Sequence, residues 1–422
     1  MTDRQRITNI LGAGTYPNFF LPKLCDACAR LGATRGILTI GRFEFNRATA
    51  SEPTHFGFDG IKDVSPSPDE IRNAIGNANS DEIAESNRDS WEPPAHGMMH
   101  KVIRALAEVD LVDGQTLWLQ GLRTGHGIPA EEALRELKTR QPRQFITVAS
   151  TLPDDFEKRD RLRDGHDLFF RLWQEKVIEA AFLLDNTSPF ARSFSIDVQD
   201  RFEAVALASL LAAQFHFGRN PSFAEVTKSL GDYGAYIGMT FVSRSIAVGK
   251  EIPWWKLLRQ GISSLPHRGS APLANVLLEA QTATNLALTE AQAKAIEEPV
   301  NTNIPFYIVY TVPVSRSSSQ WIEISREIRR WLSNTYPTAT PIFASANGTP
   351  DPRYPGDYWV QASVLYPLPD VPAPIQKILD QKSLRRRGVS NAPQNRNLDL
   401  TTRRRVVAGE VESVRGRGTN HA

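Results

Sequence analysis

Two glycine-containing segments are the parts of this 422-residue sequence whose residue types and spacing suit chemistry on a phosphate. The first, Gly12-Ala13-Gly14, follows the apolar run 7–11 and precedes residues 18–31, which have the periodicity of an amphipathic helix. The second, residues 121–127, reads Gly-Leu-Arg-Thr-Gly-His-Gly and also lies between a predicted strand and a predicted helix. Glycine lets backbone N–H groups approach an anion at the positive end of a helix. Both segments are therefore candidate phosphate-binding loops.

Neither segment completes a known phosphate motif. A dinucleotide-binding fingerprint would place a third glycine near Pro17, and a Walker A loop would contain Gly-Lys-Ser/Thr, which this chain lacks. A lone Gly-x-Gly at the end of a strand is about as often a simple tight turn as it is a phosphate-binding loop. The glycines alone therefore leave both readings open.

The histidines and cysteines give weaker signals. His96 and His100 are four residues apart, but no Glu lies between them and no third ligand is evident, so we predict no zinc site. Cys25 and Cys28 are predicted to be buried packing residues rather than a redox pair. Two cysteines cannot form a disulfide framework, which favours a reducing compartment.

The elements that would position the two glycine segments alternate between strand and helix along the first half of the chain. We predict strands over residues 7–11, 36–40, 116–120, 144–149 and 177–184, and helices over 18–31, 68–77, 98–109, 129–139 and 161–173, followed by a long apolar helix over 197–217. This alternation predicts an α/β fold with a parallel sheet covered on both faces.

The second half of the chain has a less regular order of predicted strands and helices. Strands are predicted over residues 236–242, 304–312, 339–344 and 358–364, with helices over 254–264 and 320–332. No internal repeat of about 20 to 50 residues is present, which argues against a solenoid or a propeller. We therefore expect two α/β domains joined by one long helix.

Composition agrees with a globular protein, at 41% hydrophobic and 23% charged residues. The charge is unevenly distributed. Residues 374–422 contain eleven Lys/Arg and four Asp/Glu, whereas the first 373 residues contain 38 basic and 43 acidic residues. Because this basic tail has almost no aromatic residues, it cannot bury enough surface to offset its ordering entropy, and we expect it to be disordered beyond about residue 384. No run approaches the roughly 18 apolar residues of a membrane span, and no leader is evident, so we expect a cytoplasmic protein.

Several segments, taken in order, resemble the tubulin/FtsZ superfamily. Residues 147–159, from Thr-Val-Ala-Ser to Phe-Glu-Lys-Arg, are similar to the strand, proline turn and Phe-Glu-x-x-Arg segment of that family. Asp185-Asn186 follows a strand as the family's guanine-reading asparagine turn does. Residues 220–226, Asn-Pro-Ser-Phe-Ala-Glu-Val, resemble the FtsZ loop Asn-x-Asp-Phe-Ala-Asp-Val, and Gly238-Met239-Thr240 resembles the strand that opens the second domain. The resemblance covers roughly residues 5–370 and is nearest to the prokaryotic TubZ and FtsZ-like branch.

The resemblance implies a domain organisation and a set of site residues. It implies a nucleotide-binding domain over residues 1–195, an interdomain helix over 196–219, a second, smaller α/β domain over 220–373 and a disordered basic tail over 374–422. It implies GTP and Mg²⁺ as cofactors, with no metal held by a protein cluster of its own. The implied nucleotide-binding residues are Gly12, Ala13, Gly14, Asn18, Arg123, Thr124, Gly125, His126, Gly127 and Asn186, and the implied catalytic residues are Asn220, Ser222 and Glu225.

The chain also departs from the family pattern. FtsZ-type proteins have a glycine-dense first loop and a Gly-Gly-Gly-Thr-Gly-Thr-Gly second loop, whereas Leu122 and Arg123 stand where two of those glycines would lie. Ser222 replaces the first acidic residue of the catalytic loop, which leaves Glu225 as its carboxylate. Glu225 could equally be a solvated surface charge.

The expected function is a GTPase that polymerises head to tail into cytoskeletal filaments, with hydrolysis completed by the adjacent subunit. The acidic body and basic tail resemble the plasmid and phage DNA-segregation branch of the family more than its division branch, which implies DNA segregation as the role. Two alternatives remain, a non-hydrolysing filament scaffold and a divergent division-type FtsZ homologue. The expected partners are further copies of the chain and a nucleic acid or DNA-bound adaptor, contacted by Arg385, Arg386, Arg387, Arg403, Arg404 and Arg405.

Overall fold

The computed structural model describes residues 7–43, 60–67, 69, 111, 114–121, 127–151, 159–184, 193, 195–214, 220–246, 273–290, 300–312, 319–345 and 358–368. All of them lie in one compact unit, Met1–Leu379. The predicted helices 98–109 and 254–264, all but residue 69 of the predicted helix 68–77, and the basic tail lie outside these residues. The domain boundaries predicted above remain predictions.

The described strands form one ten-stranded sheet. Their order across the sheet is β3-β2-β1-β4-β5-β6-β7-β10-β8-β9. Strand β10 is antiparallel to both of its neighbours, and the other neighbouring pairs are parallel. The bounds are β1 Ile7–Ala13, β2 Thr39–Phe43, β3 Lys62–Asp63, β4 Gln115–Gln120, β5 Phe145–Thr151, β6 Ala180–Leu184, β7 Tyr236–Ile246, β8 Phe306–Val312, β9 Ala339–Ser345 and β10 Tyr358–Leu368.

Seven α-helices in the described ranges connect or flank these strands. They are α1 Thr15–Leu31, α2 Gly127–Arg140, α3 Arg159–Gln174, α4 Ile196–Ala213, α5 Phe223–Gly231, α6 Leu273–Glu290 and α7 Ser319–Thr335. A short 3₁₀ helix, Ala33–Gly36, precedes β2. None of the helices in these ranges is both long enough and apolar enough to cross a membrane.

The helices cover the two faces of the sheet as two separate cores. One core holds apolar residues of α1, α4 and α5, for example Leu24, Leu207, Leu211 and Val226. The other holds those of α2, α3, α6 and α7, for example Leu134, Phe169, Ala283 and Ile328. The predicted α/β sheet covered on both faces is therefore confirmed, and Cys25 and Cys28 are confirmed as buried, unbonded packing residues.

Two helices were not predicted from the sequence. In α6 the buried positions Val276, Ala280, Ala283 and Ala287 follow helical spacing, but the exposed side is mostly uncharged, so the pattern lacks polar contrast. Helix α5 covers residues that we had interpreted as a catalytic loop. Its Ser-x-x-Glu start is a helix-capping sequence, which could have revealed it.

Candidate functional site

The strand order reverses between β1 and β4. From β1 the chain proceeds to β2 on one side, and from β4 it proceeds to β5 on the other side. The helices that follow, α1 and α2, pack on opposite faces of the sheet. A reversal of this kind opens a crevice outside the carboxyl ends of the two strands, where α/β proteins bind ligands. The register pairs Ala13 with Gln120, so both predicted glycine segments begin at this crevice.

Gly14 shapes the first side of the crevice. Its φ of 90° and ψ of −172° fall in a region that is essentially restricted to glycine. Its N–H donates to the Phe43 carbonyl oxygen at 2.8 Å, which ties the end of β1 to the end of β2. Gly14 is also the N-cap of α1, so this strained residue sets the direction in which the helix leaves the sheet.

The start of α1 is suited to an anion. No side chain caps it, and its first turn contains no acidic residue. The Gly14 amide is already bonded and Pro17 has no N–H, so Thr15 and Tyr16 supply the amide groups with which this helix end can meet a ligand. The helix dipole adds partial positive charge at the same place.

Gly12 has a different role from the one its motif suggests. A Cβ atom at Gly12 would lie 2.4 Å from Cβ of Pro17, so the missing side chain is what lets α1 fold back against β1. Gly12 is itself buried. Its absence of a side chain is therefore explained by packing, whereas that of Gly14 is explained by backbone geometry.

The second side of the crevice is the start of α2. This helix begins at Gly127, after the segment that follows Gln120. Two helix starts thus follow the two adjacent strands of the switch point. Four predicted ligand contacts, Arg123, Thr124, Gly125 and His126, lie outside the described residues, and so does Asn186, two positions after the end of β6. Asn18 is on α1 and is partly exposed.

Two residues that sequence reasoning missed also lie at this edge. Arg42 is 6% exposed and stands opposite Gly12 in the register between β2 and β1. Because a guanidinium stays charged, Arg42 places a charged residue one position before the end of β2. Gln120 is 3% exposed and opposite Ala13. The available signal was a polar residue that follows apolar residues near the carboxyl end of each strand.

Tyr16 remains a neutral phenol. Burial raises its pKa well above the usual value, and Glu203 and Asp200 raise it further. Its ring stacks on that of Phe20 with 5.0 Å between centroids. Tyr16 therefore contributes packing and a backbone N–H at the start of α1, and no charge.

An ion pair joins α1 to the start of α4. The Lys23 ammonium lies 2.5 Å from the Asp200 carboxylate and 3.1 Å from that of Asp197. Burial raises the pKa of Asp200, and the bond from Lys23 opposes that rise. The pKa of Asp197 is lowered, first by the bond from Arg201 and then by Lys23. The first turns of α4 are thus held against the helix that borders the crevice.

The predicted catalytic residues lie at the far end of α4. The Asn220 amide donates to the carbonyl oxygens of Ala213, at 3.1 Å, and Phe343, at 3.2 Å. At 1.5 Å per residue, the contact at Ala213 lies about 24 Å along α4 from Asp197. Asn220, Ser222 and Glu225 thus follow the end of α4 that is opposite its contact with Lys23.

Ser222 and Glu225 form a capping box at the start of α5. The Glu225 N–H donates to Ser222 Oγ at 3.2 Å, and the Ser222 N–H donates to a Glu225 carboxylate oxygen at 2.6 Å. Ser222 is buried, whereas Glu225 is exposed. Glu225 therefore has a local structural role in addition to its predicted catalytic role.

Comparison with solved structures identifies the fold. The chain is similar to CetZ2 from Haloferax volcanii in a GTPγS-bound protofilament, with a TM-score of 0.50 and 13% identity over 91% of this chain and 100% of that one. It is similar to CetZ from Methanosaeta thermophila, with a TM-score of 0.50 and 14% identity over 97% of each chain. It is also similar to TubZ from Bacillus thuringiensis serovar israelensis in a GTPγS-form protofilament, with a TM-score of 0.50 and 11% identity over 97% of this chain and 95% of that one.

These similarities identify the class of fold. The chain is an α/β protein with a switch-point crevice, and its fold is that of the tubulin/FtsZ superfamily, including the TubZ-like proteins. The predicted resemblance is thereby confirmed for the fold. No family model matches the sequence, and no curated protein sequence matches it.

Proposed function

We propose that this protein binds GTP at the crevice between β1 and β4 and assembles head to tail into filaments that hydrolyse it. The observation that carries the proposal is the pair of helix starts, α1 and α2, after the two adjacent strands of the switch point. The start of α1 fits such a ligand, because it has no side-chain cap and no acidic residue in its first turn and therefore favours a compact anion such as a phosphate chain.

The structural neighbours support the choice of guanine nucleotide and of self-assembly. The CetZ2 and TubZ structures are both protofilaments with GTPγS. Bound GTP with Mg²⁺ would supply the phosphoanhydride bond that is hydrolysed. No group of three or more His, Cys, Asp or Glu in the described ranges could hold a metal ion. Mg²⁺ would therefore be held mainly by phosphate oxygens and water.

We propose that hydrolysis requires two chains. Asn220, Ser222 and Glu225 follow the end of α4 that is opposite its contact with Lys23, which supports a site completed by a second subunit. A head-to-tail contact would bring the exposed Glu225 carboxylate of one subunit to the nucleotide of the next. There Glu225 would orient or deprotonate the attacking water.

One experiment tests binding, assembly and turnover together. Purified full-length protein is mixed with Mg²⁺ and GTP, GDP or ATP, and light scattering, phosphate release and electron micrographs are recorded. We expect GTP-dependent filaments and a rate of hydrolysis per subunit that rises with protein concentration, because each site needs a neighbour. Preference for ATP, or a turnover per subunit independent of concentration, would contradict the proposal.

The capping box favours a second candidate, a filament scaffold that does not hydrolyse nucleotide. In this structure one Glu225 oxygen already accepts the Ser222 N–H, and Ser222 replaces an acidic residue of the FtsZ pattern. A scaffold would form GTP-dependent filaments that release no phosphate and do not disassemble. Phosphate release above that of a nucleotide-only blank, followed by disassembly, would exclude it.

We further propose that the basic tail carries the partner contact of the filament, with DNA segregation as the role. The six arginines of its two triplets, at 385–387 and 403–405, suit forked contacts to phosphates or to an acidic adaptor.

A further inference from the structure

We propose that Asn220 is a positioning residue for the Glu225 carboxylate and does not itself touch the nucleotide. The inference rests on the proposed function, in which Glu225 acts on the nucleotide of the neighbouring subunit, and it gives Asn220 a role within its own chain. It is carried by three observations: the bonds of the Asn220 amide, its burial, and the short path along the chain from Asn220 to Glu225.

The bonds of Asn220 commit its amide to its own chain. Nδ2 donates to the carbonyl oxygens of Ala213, at 3.1 Å, and Phe343, at 3.2 Å, and Oδ1 accepts the Phe343 N–H at 3.4 Å. Carbonyl oxygens can only accept and a backbone N–H can only donate, so these partners distinguish Oδ1 from Nδ2. The two carbonyl oxygens match the two hydrogens of Nδ2. A phosphate oxygen of a neighbouring subunit would therefore have to replace one of them.

The amide takes the place of a neighbouring strand beside β9. Among the described strands, β9 is the last in the sheet and pairs with β8, and Phe343 lies within it. Asn220 bonds both backbone groups of Phe343, as the next strand of a sheet would. The same amide bonds the Ala213 carbonyl, one of the last four of α4, for which helix geometry provides no partner inside the helix. Asn220 therefore connects the end of the long helix to β9.

Burial makes these bonds costly to lose. Asn220 is 8% exposed, and its bonds to Ala213 and Phe343 are buried. Without the amide, two carbonyl oxygens and one N–H would lose a partner in a place that water reaches poorly, and an unmet buried polar group costs more than its bond contributes. The segment that starts at Asn220 is therefore held firmly against α4 and β9.

A short path leads from this anchor to Glu225. Pro221 follows Asn220 and has a fixed φ, and Ser222 is the N-cap of α5. The capping box joins Ser222 to Glu225 in both directions, at 3.2 and 2.6 Å. Apolar residues hold the body of α5 in the core, while Glu225 is exposed. Asn220 thus fixes the start of α5 and, through it, the place of the Glu225 carboxylate at the surface.

A double-mutant cycle in the full-length protein tests this role. GTP turnover per subunit is measured in filaments of wild type, Asn220→Ala, Glu225→Gln and the double variant. We expect Asn220→Ala alone to lower turnover by about 10- to 100-fold, as displacement of a catalytic group does. In the Glu225→Gln background the same change should alter turnover by less than about twofold, because no base remains to be positioned. An equal fold-loss in both backgrounds would overturn the inference.

Asn220→Asp separates positioning from direct contact. Aspartate keeps an acceptor for the Phe343 N–H but sets a negative charge against two carbonyl oxygens, so its turnover should be no higher than that of Asn220→Ala. A residue whose oxygen acted on the neighbour's water or Mg²⁺ would instead retain activity as aspartate, which would overturn the inference. If Asn220→Ala does not fold, Asn220→Ser, which keeps one donor, replaces it in the cycle.

Hydrogen exchange tests the anchor without reference to hydrolysis. Loss of the Asn220 amide frees the Phe343 N–H, so residues 339–345 should exchange faster in Asn220→Ala than in wild type. Unchanged protection of this segment would overturn the inference even if turnover fell. Absence of phosphate release from wild-type filaments would instead overturn the proposed function, and the exchange result would still decide whether the anchor exists.

Gln361→Met is the matched control. Gln361 is a buried residue of β10 whose Nε2 donates to the Phe202 carbonyl oxygen of α4 at 3.0 Å. The variant therefore also removes an amide bond to the long helix, but in the first half of that helix. It should lower the melting temperature and leave turnover per subunit within about twofold of wild type. A loss of turnover as large as that of Asn220→Ala would show that general destabilisation, not positioning, explains both variants.

Discussion

At the scale of single residues, the two most informative positions each combine two roles. Glu225 caps a helix and is also the carboxylate predicted to act on water. Gly14 begins α1 and also connects β1 to β2 through its N–H. A substitution that removes both roles at once would be uninformative. The chemistry of each residue nevertheless allows its roles to be separated.

Glu225→Gln should separate capping from catalysis. Glutamine at this position can still accept the Ser222 N–H, so we expect the free energy of unfolding to stay within about 0.5 kcal/mol of wild type. A neutral amide cannot act as a base, so GTP turnover should fall by about 10²- to 10⁴-fold while filaments persist. Urea unfolding and phosphate release measure the two effects.

The control is Glu225→Ala, which also loses the capping box and should be destabilised by about 0.5–2 kcal/mol. If Glu225→Gln turned over GTP at the wild-type rate, Glu225 would be a capping residue only.

Gly14→Ala should impair both stability and nucleotide binding. Alanine is strained at a φ of 90°, so we expect a loss of about 1–3 kcal/mol in unfolding free energy. The displaced start of α1 should also weaken GTP binding at least about tenfold. Gly60→Ala is the matched control, because Gly60 has a φ of 83° but open space around its Cα. It should lose about 1–2 kcal/mol and bind GTP normally. Equal affinities of the two variants would remove Gly14 from the site.

At the scale of elements, the contact between α1 and α4 positions the crevice relative to the far end of the long helix. Lys23 makes the ionic part of this contact from a largely buried position. Leu24 of α1 and Leu207 of α4 belong to the same apolar core and contribute the apolar part of this contact. Because Lys23 neutralises a carboxylate that burial disfavours, its effect on stability must depend on pH.

Lys23→Met should destabilise the protein by about 1–3 kcal/mol at neutral pH, because it leaves Asp200 charged and without its ammonium partner. Burial already raises the pKa of Asp200, and loss of Lys23 would raise it further. A carboxyl group with a raised folded-state pKa favours folding in its protonated form, and that stability is lost as the pH rises through the folded pKa. The deficit of the variant should therefore shrink as the pH is lowered from neutral toward the ordinary range of carboxyl groups, because Asp200 becomes protonated there.

Urea unfolding at several pH values measures this effect. Arg30→Met is the control on the same helix, since Arg30 and Asp26 form an exposed pair. Its effect should stay within about 0.5 kcal/mol at every pH. A deficit of Lys23→Met that does not vary with pH would show that packing, not charge, dominates the contact.

At the scale of the whole molecule, charge is segregated along the chain. The 373 residues before the basic tail carry five more acidic than basic residues, and the tail carries seven more basic than acidic ones. A filament of such chains would present a repulsive body to polyanions and an attractive tail. The two proposed functions, assembly and partner binding, should therefore be separable.

Removal of residues 385–422 should abolish binding to DNA or to a DNA–adaptor complex and leave GTP-dependent assembly intact. If six arginines contact phosphates, the affinity of the full-length protein should fall about 10³-fold between about 50 and about 200 mM salt. Replacing Arg385, Arg386 and Arg387 with glutamine should lower the salt slope by about three. Filter binding and sedimentation measure the two activities. Partner binding by the truncated protein, or loss of its assembly, would show that the tail has another role.

Local sequence patterns predict the order of the elements and the two places where a phosphate could bind. Buried strands are continuous apolar runs and surface helices have a 3.6-residue period, and both signals are local, so most strands and helices could be predicted. Gly12 and Gly14 could also be singled out from the sequence, because they lie between a predicted strand and a predicted helix. Glycine density, however, could not distinguish Gly12, which makes room for Pro17, from Gly14, which adopts a positive φ.

Which residues meet depends on the long-range contacts of the fold. The order of strands puts β1 beside β4 although about a hundred residues separate them, and this pairing makes the switch point and places Gln120 opposite Ala13. The structure also engages Glu225 in a helix cap and puts it at the far end of α4 from the α1 contact. Such pairings depend on long-range packing of two cores, which no local pattern encodes. The sequence therefore suggested which residues could act, and the fold determined which of them can act together.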